Sequence, residues 1–119
     1  MSHLVTIETQ VRDPVAVSAA CARLQLAPPV HRTVRLFSSE ATGLAVELPG
    51  WRYPVVCDTA AGRLHYDNFD SRWGDPVELQ RFQQRYAAEK TLLEARRAGH
   101  VATEHALADG SIRIAIHAG

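Results

Sequence analysis

Three successive short segments alternate apolar and polar residues, and the two connections between them are four residues each. This pattern constrains the chain more than any other feature in it. Segment 43–48 places Leu44, Val46 and Leu48 on one side, segment 53–58 does so with Tyr53, Val55 and Cys57, and segment 63–67 with Leu64 and Tyr66. A period of two marks a half-buried strand. If Pro49 to Arg52 turn the chain, Leu48 pairs with Tyr53, Val46 with Val55 and Leu44 with Cys57. If Thr59 to Gly62 turn it again, Cys57 pairs with Leu64 and Val55 with Tyr66. Both registers gather the apolar side chains on one face, and a slip of one residue would invert a strand. Connections this short favour antiparallel neighbours. Segment 33–38, with Val34 and Leu36 on one side, precedes these three across Ser39-Glu40-Ala41 and completes a four-strand meander.

The flanks add two helices and three strands. Residues 4–11 alternate, with Val5, Ile7 and Val11 opposite Thr6, Glu8 and Gln10. Asp13-Pro14 then opens a helix to about residue 25: an Asp N-cap accepts from free backbone N–H groups, and Pro at the first helical position loses no bond. Val17, Ala20, Cys21 and Leu24 recur at helical spacing, and Pro28-Pro29 stops the element. A second Asp-Pro start, Asp75-Pro76, opens a helix to about Arg97, with Leu79, Phe82, Tyr86, Lys90 and Leu93 on one stripe and Gly99 as the C′ residue. Its length is about 33 Å, long enough for one end to project. Asp109-Gly110 reads as a type I′ hairpin turn, which pairs Leu107 with Ile112, His105 with Ile114 and Thr103 with Ile116. The order β-α-β-β-β-β-α-β-β predicts a single α+β domain over residues 1–119. We expect a two-layer sandwich, a largely antiparallel sheet with two helices on one face; the pattern leaves open where the first strand and the final hairpin join.

A chain of 119 residues can bury a core without staples. Apolar residues make up 46% and charged residues 22%, a globular rather than disordered composition. Thirteen basic residues balance thirteen acidic ones, which counts against nucleic acid as the partner, since phosphate contacts ordinarily require a basic excess. The N-terminal Met1-Ser2-His3-Leu4 has no basic region followed by an apolar run, and no stretch approaches the ~20 apolar residues that span a bilayer. A cytoplasmic protein with no membrane partner is the expectation.

Chemical signatures are sparse. Cys21 and Cys57 both occupy apolar positions and read as buried thiols; nothing resembles a CxxC site. His3, His31, His65, His100, His105 and His117 are scattered, without the i, i+4 pair of a zinc protease. His65, Asp58 and Glu47 could share the face away from the helices, where a solvated sheet surface is the simpler reading. The expected hairpin register places His105 among the isoleucines. There is no GxSxG elbow, no GxGxxG and no P-loop. No catalytic residue, cofactor or metal ligand is assigned, and the chain leans away from being an enzyme.

The densest chemistry lies in two loops, 49–54 and 66–75. They hold both tryptophans, two of the three tyrosines and Phe69. Trp51, Arg52, Asp67, Asn68, Arg72 and Trp73 converge at one end of the predicted sheet and form the candidate interaction surface. Trp and Arg carry much of the binding energy at protein interfaces. The alternative is that the tryptophans cap the core edge while Asp67 or Asp70 ties the loop to backbone N–H groups.

Several segments resemble a known family: Met-Ser-His before the first strand, Val11-Arg12-Asp13, Leu48-Pro49-Gly50-Trp51-Arg52-Tyr53-Pro54-Val55-Val56, Tyr66-Asp67-Asn68, Arg72-Trp73-Gly74 and Gln84-Arg85-Tyr86-Ala87-Ala88-Glu89-Lys90. Over nearly the whole chain the sequence resembles domain-of-unknown-function family twelve fifty-seven, which includes the plastid and cyanobacterial hypothetical protein ycf thirty-five. The resemblance implies a small intracellular protein and supplies no activity, cofactor or catalytic residue. It suggests an accessory role beside an ATPase of the AAA type.

The sequence therefore points to a non-enzymatic accessory or protein-interaction domain. Two rivals stand beside it: an enzyme or small-ligand binder with a site on the open sheet face or between sheet and helices, and a nucleic-acid module using Arg32, Arg35, Arg52, Arg63 and Arg72. A symmetric dimer through an open sheet face or edge is compatible with the pattern.

Overall fold

The computed structural model describes residues 4–117; Met1, Ser2 and His3 of the N-terminus, Ala118 and Gly119 lie outside the described residues. The elements run β1 (Val5–Glu8), α1 (Pro14–Arg23), β2 (Val30–Arg35), β3 (Glu40–Val46), β4 (Val55–Asp58), β5 (Arg63–Tyr66), α2 (Pro76–Arg97), β6 (Val101–Ala106) and β7 (Ile112–His117). This is the expected order. The first five strands form one antiparallel sheet in the order β1-β5-β4-β3-β2, so the N-terminal strand joins beside β5. The final hairpin stays out of that sheet and makes a two-stranded sheet of its own.

The meander register is the one the turn lengths dictate. Leu44 pairs with Cys57, Val46 with Val55 and Cys57 with Leu64. The first turn closes with Trp51 N–H donating to Leu48 O (3.2 Å), Pro49 and Gly50 between them, and Gly50 at φ 73°. Pro then Gly at these positions is the type II arrangement, which needs a positive φ at its third residue. Val46, Leu48, Val55, Cys57 and Leu64 pack against Ala16, Val17, Ala20 and Cys21 of α1 and Leu79, Phe82 and Tyr86 of α2. Both helices therefore cover one face, as a two-layer sandwich requires.

Each helix begins as its Asp-Pro start specifies. Asp13 Oδ1 accepts from Val15 N–H (2.9 Å) and Asp75 Oδ1 from Val77 N–H (3.0 Å). Tyr86 locks the start of α1 to α2. Its hydroxyl accepts from the N–H groups of Arg12 and Asp13 (3.0 Å each) and donates to Gln10 O (3.2 Å). After α2 the chain turns away at Gly99 (φ 76°), with His100 N–H donating to Ala95 O. The far half of α2 does not project bare. The terminal hairpin folds back along it, and Gln84 donates to Gly110 O at the hairpin tip (3.1 Å).

Two expectations are corrected. The first concerns the helix-free face, which the sequence reading left open. Val34, Leu36, Ala41, Ala45 and Val56 form a second buried cluster there, with Leu4 and Tyr53 packed against it. Tyr53 thus lies on the opposite face from Val55 and Cys57, because the strand begins only at Val55 and 51–54 is turn. The cover is the β2–β3 hairpin itself. Along a flat sheet its turn would lie about 20 Å from the β3–β4 turn, since β3 advances ~3.3 Å per residue. Yet Phe37, in the β2–β3 turn, contacts Trp73 (ring centroids 5.4 Å), and Trp73 O accepts from Arg52 N–H in the β3–β4 turn. The hairpin must curl back across the face. It does so at Gly43, where β3 leaves its pairing with β4 and a Cβ would sit 2.4 Å from Cys57 O.

The second correction concerns the terminal hairpin. The observed pairs are Ala106 with Ile112, Glu104 with Ile114 and Ala102 with Ile116, one residue off the expected register. Of the two turn residues only Gly110 has a positive φ (88°), whereas type I′ needs one at both. Gly110 N–H donates to Leu107 O and Leu107 N–H to Ser111 O, while Asp109 Oδ1 accepts from Ser111 N–H. This is a three-residue loop with a glycine bulge. The odd residue flips β6: His105 is exposed opposite Arg113, and Glu104 takes the isoleucine face.

Candidate functional site

The structure brings the two aromatic loops together and divides their residues into two groups. Trp51, Asp67 and Asn68 build the platform. The Trp51 indole donates to Asp75 O (3.0 Å), its ring packs edge-on to Tyr66 (5.7 Å), and it lies against the main core. Gly74 makes this possible, since a Cβ there would stand 2.4 Å from the indole ring. Asn68 Nδ2 donates to Gly74 O and Asn68 O accepts from Trp73 N–H. Asp67, 1% exposed, accepts from Phe69 N–H through Oδ1. These contacts hold an unusual backbone. Phe69, Asp70 and Ser71 have φ of 45°, 50° and 73°, three successive side-chain-bearing residues in the left-handed region. Such residues each cost of order 1–2 kcal/mol. Arg72 N–H closes this turn on Phe69 O.

Arg52, Arg72 and Trp73 form the second group and line the surface that the strained turn presents. Trp73 stacks on Phe69 (centroids 4.6 Å, 23° between planes) and meets Tyr53 edge-on (5.8 Å). The Arg52 guanidinium lies over the Trp73 ring at 4.6 Å and the Tyr53 ring at 5.5 Å; that of Arg72 lies over Phe69 at 4.9 Å. Cation–ring contacts of this kind contribute about 0.5–1 kcal/mol each when exposed. Neither guanidinium pairs with a carboxylate of the described residues; Arg32 and Arg35 are alike in this, whereas Arg63 pairs with Glu8 (2.8 Å). Phe37, which the sequence reading left out of the cluster, joins it through the curl of the hairpin and is 53% exposed. No local pattern could have placed it there.

The other candidates are held in structural roles. The His65 ring meets Thr6 Oγ1 (2.9 Å), and Asp58 Oδ1 accepts from Ala61 N–H. No group of three or more His, Cys, Asp or Glu side chains among the described residues could hold a metal ion. Cys21 and Cys57 are free and buried; desolvation pushes their thiols up to about 11 and about 12. A cavity of about 650 Å³ lies between the β1–α1 connection and α2; of the charged side chains that line it, Lys90 is paired with Asp13 (3.0 Å) and Glu94 (2.6 Å) and Glu8 with Arg63 (2.8 Å), while Arg12 has no ion pair among the described residues.

One polar cluster escaped the sequence reading because it depends on the hairpin register. Glu104 accepts from Arg85 through both of its oxygens and from Arg23 (2.9 Å), and Arg85 also pairs with Glu89 (2.9 Å). The quartet joins α1, α2 and β6. The hydrogen bonds from Arg85 hold the Glu104 carboxyl below its usual range and raise Arg85 above its own. Its parts have internal partners, so it reads as a joint rather than a site.

No helix among the described residues is long and apolar enough to cross a membrane. No family model, curated protein or solved structure matches the chain.

Proposed function

We propose that this chain is a non-enzymatic interaction domain that binds a protein partner through the end of the sheet where Arg52, Arg72, Trp73, Phe69 and Phe37 meet. One observation carries the reading. Two guanidiniums are laid over aromatic rings of a braced, strained turn, and neither has a carboxylate partner among the described residues. A turn that requires three left-handed residues costs stability, and strain of this kind concentrates at working surfaces. Ring-stacked arginine is pre-ordered, so little side-chain freedom is lost when its N–H edge engages a partner. The resemblance to family twelve fifty-seven adds an AAA-type ATPase as the first candidate partner. Affinity capture from native lysate with the wild-type chain and with Arg52→Ala/Arg72→Ala, both checked for folding by circular dichroism, tests the reading. At least one protein should be retained by the wild type and lost by the variant; identical captures would sink it.

A further inference from the structure

We propose, on the basis of that reading, that the partner contributes an extended acidic segment that adds to the open edge of β2 and ends on Arg52 and Arg72. β2 is an edge strand of the five-stranded sheet. Leu36 N–H donates to Ser39 O, so the residues of β2 in step with Leu36 bond inward to β3. In an antiparallel ladder the alternate residues face outward. The N–H and C=O groups of His31, Thr33 and Arg35 are therefore the open ones. β2 offers about 20 Å of such edge, enough for a segment of six residues.

A cationic edge strand is also a common guard against edge-to-edge aggregation. Two features of this edge go beyond a guard. Val30, which begins the strand, is 57% exposed and offers an apolar contact. The turn that ends the strand carries Phe37 directly against Trp73, so the open edge runs into the Arg52 and Arg72 cluster. Backbone pairing along an edge gives affinity, and side-chain contacts along it give specificity.

Charge selects the occupant. His31, Arg32 and Arg35 flank the edge and Arg52 and Arg72 lie at its end, none in an ion pair within the described residues. Glu40, opposite Arg35 across the ladder, is the one carboxylate paired in register with β2. A second copy of this chain fits poorly, since antiparallel β2–β2 pairing brings Arg32 and Arg35 of the two copies onto opposite or diagonal positions, and like charges so placed destabilise. A single-stranded nucleic acid fits poorly too. It would stack bases on free ring faces, whereas Trp73 and Phe69 face each other and carry guanidiniums. What stays available on a stacked guanidinium is its N–H edge, which matches a carboxylate.

The test is an amide NMR titration of the ¹⁵N-labelled chain with the peptide (Glu-Val)5, with (Gln-Val)5 and a single-stranded oligothymidylate as controls. We expect shifts at the His31, Thr33 and Arg35 amides and at the Arg52 and Arg72 side chains. Thr33→Pro, which removes an outward donor, should weaken peptide binding at least tenfold, and Arg52→Ala/Arg72→Ala at least fivefold. If Thr33→Pro unfolds, Arg32→Glu/Arg35→Glu takes its place with the same expected loss. If binding is lost in the Arg52/Arg72 variant but unchanged by alteration of β2, the interaction surface stands and strand addition is refuted. If neither alteration matters, both readings fail. Tighter binding of the oligothymidylate, or a dimer by light scattering that Thr33→Pro abolishes, would assign the edge to another occupant and overturn the proposal.

Discussion

Replacing Glu104 with Ala should cost about 2–3 kcal/mol and loosen the terminal hairpin before the rest of the molecule. Glu104 receives two hydrogen bonds from Arg85 and one from Arg23. Arg23 is half exposed, so its bond is worth at most ~1 kcal/mol. Arg85 is only 11% exposed, its Nε is buried without a partner among the described residues, and after the substitution it would keep Glu89 alone. Breaking a fully buried pair costs about 3–5 kcal/mol, because a charge stays behind uncompensated. Glu104 is 24% exposed, so water can reach part of the gap and the figure falls toward the lower value. The effect should be local first. A two-stranded sheet is marginal by itself, and β6–β7 is held by α2 and this joint. Urea denaturation followed by circular dichroism gives the total, and hydrogen exchange should show protection lost at β6 and β7 before β3–β5. Glu104→Gln, which keeps an acceptor, should cost roughly half as much. A Glu104→Ala protein within 0.5 kcal/mol of wild type, with unchanged hairpin protection, would refute the account of the quartet as a joint.

Four further outcomes are expected. Glu104 has its carboxyl held down mainly by Arg85, so its contribution is present above the ordinary value of 4.5 and is lost as pH falls through the lower folded value; urea midpoints at pH 7, 4 and 3 should fall more steeply for wild type than for Glu104→Gln. Tyr86→Phe removes the shared acceptor of two backbone N–H groups and a donor to Gln10 O, and should cost about 2–3 kcal/mol in the same assay; a loss under 0.5 kcal/mol would contradict the lock between α1 and α2. Gly74→Ala must displace the Trp51 indole and should red-shift and weaken tryptophan fluorescence while lowering Tm; an unchanged spectrum would count against the platform. Native Cys21 and Cys57, with pKa values of about 11 and about 12, should resist iodoacetamide at pH 8 and react at once in urea; fast labelling of the folded chain would show that the core opens.

What could be read without tertiary structure was local or self-checking. Asp13-Pro14 and Asp75-Pro76 cap their helices by contacts within two residues, and the meander register followed because turn length and a period of two agreed at both turns. The six loop residues named from sequence do gather at one end of the sheet, but burial decided which of them build: Trp51, Asp67 and Asn68 are committed inward, and Arg52, Arg72 and Trp73 line the surface. Asp109-Gly110 is compatible with two turns, and the choice between them depends on which face of β6 meets α2. Arg85 and Arg23 meet Glu104 there, where the type I′ register would have put His105. Gly43 is a single glycine in an alternating strand, and its identity does not say how far the chain will bend. Only contacts between residues distant in sequence, Phe37 with Trp73 above all, decide that the hairpin closes over the second face. Backbone propensity and side-chain period act over a few residues and survive in the sequence. The curl of a sheet and the slip of a hairpin are chosen by what the finished molecule can bury.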